Sequence, residues 1–355
     1  MTDSLFAGDA AGRGATTTVK SVADHLLARG HEVLFVAPGP GLGTYKSSRV
    51  VRVSPVAKPG APVREALQQF RPDAVLVVSP DRLGRKALKH ARKLGAHTVV
   101  VQQSPVPDAL ADFWVTKVAM RADRVLVATS WMADRLAALG VRAELWSPGV
   151  DTAAFSPALR DERLHAVWAR SDKQPQGLVV VGYAGTLTKS HGVRHLPALN
   201  GVPAVRLVVI GDGPQRQWLR DRMPRAAFVG PLGTGDLAVA LASLDVLVHP
   251  GEQEASGHAL REGAASGLPI VAPRSGAALD LVRPLETGLL YRPGDAHALA
   301  EAVSSVAADP RRRLLGERAR ELVLPHDWAC AVDEIVGRIT GALDPPTTHR
   351  ALAAR

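Results

Sequence analysis

One cysteine, Cys330, stands in a chain of 355 residues, and its isolation excludes an internal disulfide framework and any cysteine-based metal site. A reducing, cytosolic compartment fits that usage. Aromatic residues make up only 4% of the chain and no run of about 18 apolar residues occurs, which excludes a helical membrane protein. The 46% of hydrophobic residues is that of a globular chain. Met1-Thr2-Asp3-Ser4 has neither a basic n-region nor an apolar h-region, so no secretory signal is legible. Acidic residues are in deficit, 34 against 43 basic ones, and the resulting charge of +9 attracts anions. No basic stripe interleaved with aromatics accompanies that charge, which argues against a nucleic-acid partner. Nor does a G-x-G-x-x-G occupy the first strand-to-helix turn, which argues against a pyridine-dinucleotide oxidoreductase.

What is present is a regular alternation. Apolar runs rich in Val and Leu alternate with helical stretches throughout, the βαβ pattern of parallel sheets covered on both faces. Strands are predicted at residues 32–37, 50–53, 74–78, 97–101, 124–127 and 143–146, then at 178–183, 206–210, 226–229, 246–249, 269–272 and 288–291. The length exceeds one usual core. The fold class is therefore α/β, with two Rossmann-like, doubly wound domains. Ser147-Pro148-Gly149 punctuates the chain where the first set of strands is complete, giving an N-terminal domain over 1–147 and a C-terminal domain over 148–327. A last helix over 328–343 and an unstructured tail over 344–355, with Pro345-Pro346-Thr347-Thr348, complete the chain. The predicted helix 83–94 sets Arg85, Lys86, Lys89, Arg92 and Lys93 opposite Leu83, Ala87, Leu88, Ala91 and Leu94. Such a face is either simply solvated or docks on an anionic membrane surface.

The densest stretch is Glu254-Ala255-Ser256-Gly257-His258-Ala259-Leu260-Arg261-Glu262, followed by Ser266-Gly267-Leu268-Pro269-Ile270-Val271-Ala272. It reads as a loop carboxylate, a helix start at Ser256-Gly257, a second carboxylate two turns in, a stop at Gly267 and a buried strand. Free amides and the positive end of a helix dipole suit a diphosphate, and the carboxylates suit sugar and ribose hydroxyls. Gly211-Asp212-Gly213-Pro214 reads as a strand-to-helix turn with Pro214 opening the helix.

The stretch resembles the E-x7-E signature of retaining, two-domain (GT-B) glycosyltransferases of family 4. The likeness continues through Gly185-Thr186-Leu187 with His191-Gly192-Val193, Val208 to Pro214, Phe228 to Leu232 and Ala242 to His249. Val36 to Gly41, Phe70 to Asp73 and Gly149 to Thr152 are similar to segments of bacterial GDP-mannose-dependent α-mannosyltransferases. The resemblance implies two domains facing across a cleft, with the last helix crossing back onto the first. It implies an enzyme that moves a sugar, mannose first, from a nucleotide diphosphate donor to a lipid, glycan or small-molecule hydroxyl. A UDP-sugar-dependent relative and a nucleotide-sugar-binding protein without turnover stay open. It needs no cofactor, and without two aspartates at D-x-D spacing no metal is implied.

Carried over residue by residue, the resemblance gives Glu254 the hydroxyls of the donor sugar, Glu262 the ribose, and the helix start at Ser256, Gly257, His258 and Ala259 the diphosphate. The base would rest near Gly230 and Leu232. The loop from Gly185 to Gly192 departs from the family: Thr186 stands where an arginine is common and His191 where a lysine is, so Lys189 is left to supply the fixed charge. On the acceptor side the resemblance points to Arg13, Gly14, Gln103 and Ser104. The N-terminus departs too. Relatives begin with a buried strand, whereas here Thr2-Asp3-Ser4 leads directly into a loop from Gly8 to Gly14 and a helix over 16–29. Upstream in-frame codons for a Val/Ile-rich strand are expected, since a missing central strand would leave unpaired edges. A cytoplasmic protein, peripheral at the inner membrane surface through the basic helix, completes the expectation.

Overall fold

A computed structural model describes residues 13–54, 59–172, 174 and 177–340, without the side chains of Arg13 and Thr340. The expected turn at Thr2 to Ser4, the loop from Gly8 to residue 12 and the tail lie outside the described residues.

Thirteen strands form among the described residues. Twelve match the predicted positions within three residues at either end; the thirteenth, two residues long, had no legible pattern. In the first half these are β1 (Phe35–Pro38), β2 (Thr44–Tyr45), β3 (Ser48–Val53), β4 (Ala74–Val78), β5 (His97–Gln102), β6 (Arg124–Val127) and β7 (Glu144–Leu145). In the second they are β8 (Val179–Ala184), β9 (Val205–Ile210), β10 (Ala227–Gly230), β11 (Val246–Val248), β12 (Ile270–Pro273) and β13 (Gly288–Tyr291). The second-half sheet runs β10-β9-β8-β11-β12-β13 with every pair parallel. The first half holds β4-β5-β6-β7, all parallel, and a separate three-stranded sheet, β1-β3-β2.

Strands with helices on both faces must be apolar on both sides, and β5 is buried at five of its six positions. Helices on one face of the first half contribute Val63, Leu67, Leu88 and Met132 to one core. On the other face the first helix, Arg13–Ala28, and the last, Trp328–Thr340, share a core built from Val19, Val22, Val332 and Ile335. The chain thus returns to its first half at its end. The first helix starts three residues earlier than expected. The helix after Gly213 starts at Arg216, behind an N-cap Gln215, rather than at Pro214, because residues 214–215 form a turn.

The two passes between the halves run side by side. Val150 bridges Asp327, the Trp146 indole N–H donates to the Ala331 carbonyl at 2.7 Å, and Arg338 donates to the Leu145 carbonyl at 2.8 Å. A Cβ on Gly149 would stand 2.4 Å from the Asp327 carbonyl oxygen and 2.5 Å from the Trp328 nitrogen, both backbone atoms. Gly149→Ala is therefore expected to lower the unfolding free energy by about 2 kcal/mol in urea. Gly235→Ala, in helix Thr234–Ala242 with open space around it, should be neutral or raise it by up to about 1 kcal/mol. Equal effects at the two sites would show that the backbone contact at 149 does not matter.

Candidate functional site

In the second-half sheet the strand order reverses between β8 and β11, and the crevice beyond the carboxyl ends of such strands is where open α/β sheets take ligands. Here that crevice is a cavity of about 680 Å³. Its second-half wall includes Gly185 and Thr186 after β8, His191, Leu232, and Glu254, Ser256, His258, Ala259 and Glu262. Its first-half wall includes Gly14, Gln103 and Ser104. Three expected residues stand off the lining: Gly257 is buried, Gly230 ends β10 with φ +88°, and Lys189 is exposed on the turn before His191. Arg13 opens the first helix, its side chain outside the described residues.

The helix of the motif runs His258–Ala265, with Gly257 as its N-cap at φ +69°. It starts just past the expected Ser256-Gly257, whose amides turn to the Glu254 carboxylate ahead of the helix. Oε1 of Glu254 accepts from the Ser256 amide at 3.0 Å, the Ser256 hydroxyl at 2.8 Å and the Gly257 amide at 2.9 Å. Its Oε2 lies 3.3 Å from Nε2 of His249. Burial alone would raise the Glu254 pKa, but the hydrogen bond and charge of His249, with the Gly257 amide and the Ser256 hydroxyl, outweigh it. The carboxyl is held far below its ordinary range. Its backbone is clamped as well: the Ala277 amide donates to the Glu254 carbonyl at 2.8 Å, and Ala255 packs into the first-half core.

Burial, reinforced by the charge of Arg261 and opposed by Glu254, pushes His258 down to about 4. Its ring stacks on Trp328 with centroids 6.0 Å apart, and its Nε2 lies 3.5 Å from the Thr18 hydroxyl, which is hydrogen-bonded to Gln103. A Cβ on Gly14 would meet this ring at 2.7 Å, so only glycine lets the first helix come this close. His191 is also lowered, by burial first and by His249 next, against a raising effect of Glu254.

Two functional groups escaped the sequence reading. His249 follows β11 directly, which is a site position only once β11 is known to neighbour β8. Arg261 is almost wholly buried and donates from Nε to the Pro148 carbonyl at 2.9 Å. Burial pulls it down to about 10, opposed by the charges of Asp280 and Glu254. On an amphipathic helix it reads as a surface cation. Nothing in the local pattern marks either residue.

Comparison with known proteins agrees with this geometry. Residues 179–309 match the model of glycosyl transferases group 1, and residues 12–154 that of glycosyltransferase family 4. The GDP-mannose-dependent alpha-mannosyltransferase of Mycobacterium tuberculosis (strain CDC 1551 / Oshkosh) is 35% identical, over 95% of each chain. The GDP-mannose-dependent alpha-(1-6)-phosphatidylinositol dimannoside mannosyltransferase of M. tuberculosis (strain ATCC 25177 / H37Ra) is 31% identical, over 86% of this chain and 88% of that one. Among solved structures, Anabaena Alr3699/HepE in complex with UDP superposes with a TM-score of 0.78 at 17% identity, over 96% of this chain and 98% of that one. At that identity it shares the two-domain GT-B fold.

A histidine kept neutral by burial stabilises the fold above its unfolded pKa of about 6.5 and loses that contribution as pH falls toward the folded value. For His258 the window is about pH 6.5 to 4, and His191 acts in the same direction. Between pH 7 and pH 5, His258 should account for a loss of about 2 kcal/mol of unfolding free energy. His258→Gln is expected to remove that share of the pH dependence in urea titrations; an unchanged slope would acquit the residue.

Proposed function

The chain belongs to the glycosyltransferases of group 1 and family 4, and from that membership we propose that it moves a mannosyl residue from GDP-mannose to a hydroxyl of a lipid-anchored acceptor, with retention at the anomeric carbon. The observation that carries the donor half is the start of helix His258–Ala265 inside the cavity. Glu254 occupies the Ser256 and Gly257 amides, while those of His258 and Ala259, in the first turn, have no helical carbonyl ahead of them. Charge grows on the diphosphate as the glycosidic bond breaks, and fixed amide dipoles stabilise it without reorganising. Gly185 and Thr186 line the same end, His191 and Glu254 border the sugar, Glu262 holds the ribose, and Gly230 to Leu232 the base. Lys189, exposed on the rim, adds positive charge along the diphosphate's approach. The names of both mycobacterial relatives support this donor.

The acceptor half rests on the first-half wall at Gly14, Gln103 and Ser104, with Arg13 beside it, and on a surface reached from that wall. Helix Arg82–Lys93 begins three residues after Ser79, which lines the cavity. Arg82, Arg85, Lys86, Lys89, Lys117 and Arg121 surround Phe113 in a second hollow of about 420 Å³ lined by no acid. Arg85 lies 5.0 Å from the Phe113 ring centroid, and Leu110, Phe113 and Met120 stand 45–65% exposed nearby. Cations around protruding apolar side chains suit the surface of an anionic bilayer. The protein then works peripherally at the inner membrane surface; no described helix is long and apolar enough to cross a membrane. The phosphatidylinositol dimannoside in one relative's name supports a lipid acceptor.

A panel of sugar nucleotides in single-turnover assays tests the donor: GDP-mannose is expected to react fastest, and a faster UDP-sugar, or binding without turnover, would replace this reading. Glu262→Ala should weaken GDP binding by roughly 30-fold to 150-fold in calorimetry, the about 2 to 3 kcal/mol of hydrogen bonds to a charged group. Glu254→Gln, which keeps the side-chain shape, should lower turnover more than binding. For the membrane, Lys86→Glu with Lys89→Glu should abolish co-sedimentation with phosphatidylglycerol-containing vesicles and leave GDP binding intact. Sedimentation equal to that of the wild type would count against that surface.

A further inference from the structure

We propose that His326, Cys330 and Glu334 form a zinc site that ties the crossover helix to the interdomain linker. His326 stands two residues before helix Trp328–Thr340, and Cys330 and Glu334 lie one turn apart on one face of that helix. One ligand atom from each lies within 4.8 Å of the other two. Nδ1 of His326 is 3.6 Å from Sγ of Cys330 and 3.9 Å from Oε1 of Glu334. Zinc bonds of about 2.3 Å to sulfur and about 2.05 Å to nitrogen, at a tetrahedral angle, set those two atoms about 3.6 Å apart. The histidine and cysteine thus already stand at ligand separation, and the half-exposed Glu334 carboxylate must swing inward to complete the set.

The orientation of the imidazole is the second observation. Nε2 of His326 lies 2.9 Å from the Ser147 carbonyl oxygen, which can only accept, so Nε2 carries the hydrogen. In the neutral ring Nδ1 then presents its lone pair to the cluster, the arrangement by which an outer hydrogen bond orients a metal-bound histidine. Arg338 approaches the other carboxylate oxygen of Glu334, Oε2, at 3.8 Å, and leaves Oε1 facing the histidine. Thiolate, imidazole and carboxylate together select zinc among common divalent ions. Binding replaces the thiol proton, released to solvent, by a sulfur–zinc bond; one thiolate and one carboxylate balance the ion's charge, and water takes the fourth position. The expectation that a lone cysteine excludes any cysteine-based metal site is thereby set aside: it holds for all-cysteine ligand sets, whereas here one thiol joins an imidazole and a carboxylate.

The test uses the full chain stripped of metal by a chelator and titrated with cobalt(II), then zinc(II). A one-to-one near-ultraviolet thiolate-to-cobalt charge-transfer band, displaced by zinc, is expected, together with an upward shift of a few degrees in the thermal midpoint with zinc. Cys330→Ser should abolish both, and Glu334→Gln and His326→Ala should each weaken binding at least about tenfold. Circular dichroism and GDP binding of each variant confirm that it is folded. Absence of the band at equimolar cobalt overturns the site, and so does a band that survives His326→Ala with Glu334→Gln, which would be a lone thiol taking up metal.

Discussion

The carboxylate of Glu254 is the point on which the second half and the join between halves both depend. A buried charge is tolerated only when hydrogen-bonded and balanced. Here one oxygen takes two amides and a hydroxyl, and the other faces His249. Those partners come from the start of the site helix and the end of β11, so a single anion fixes how helix, loop and strand meet. The next residue, Ala255, is buried in the core of the opposite half. Any displacement of the carboxylate is felt across the cleft.

Around that anion the remaining groups are arranged by sign. Arg261 provides the counter-charge from within the helix and holds the linker through Pro148. His258 and Tyr183 are kept neutral by burial, the tyrosine pushed upward with Glu254 adding to the effect. Tyr183 stacks on His249 and donates to the Thr186 carbonyl at 2.9 Å, so the sheet sets the loop that lines the cavity. The second-half wall of the cavity is thus held by hydrogen bonds within the protein, the kind of arrangement that suits catalysis by preorganised dipoles.

Most of the architecture was legible because a parallel sheet buried on both faces leaves long apolar runs, and these gave twelve strands. Thr44–Tyr45 was not legible, since two residues carry no period. The two motif carboxylates were found through a helix start with acids on both flanks. His249 and Arg261 were not, because their place is decided by which strands are neighbours and by what covers a helix face. The offset at Pro214 is of another kind, a turn completed before the helix begins. Thr186 and His191 line the cavity as expected, while Lys189 does not, since the short turn from Lys189 to His191 points successive residues in different directions.

The bridge between Val150 and Asp327 has a mechanical consequence. A pair of halves joined by one strand can swivel in three directions, like a ball in a socket. Joined by two adjacent segments that meet in a single β-bridge, with Gly149 pressed against the neighbouring backbone, they rotate most easily about an axis through the pair. Breathing of the cleft is then a wedge motion, widest at the lip farthest from residues 149 and 327 and nearly nil beside them.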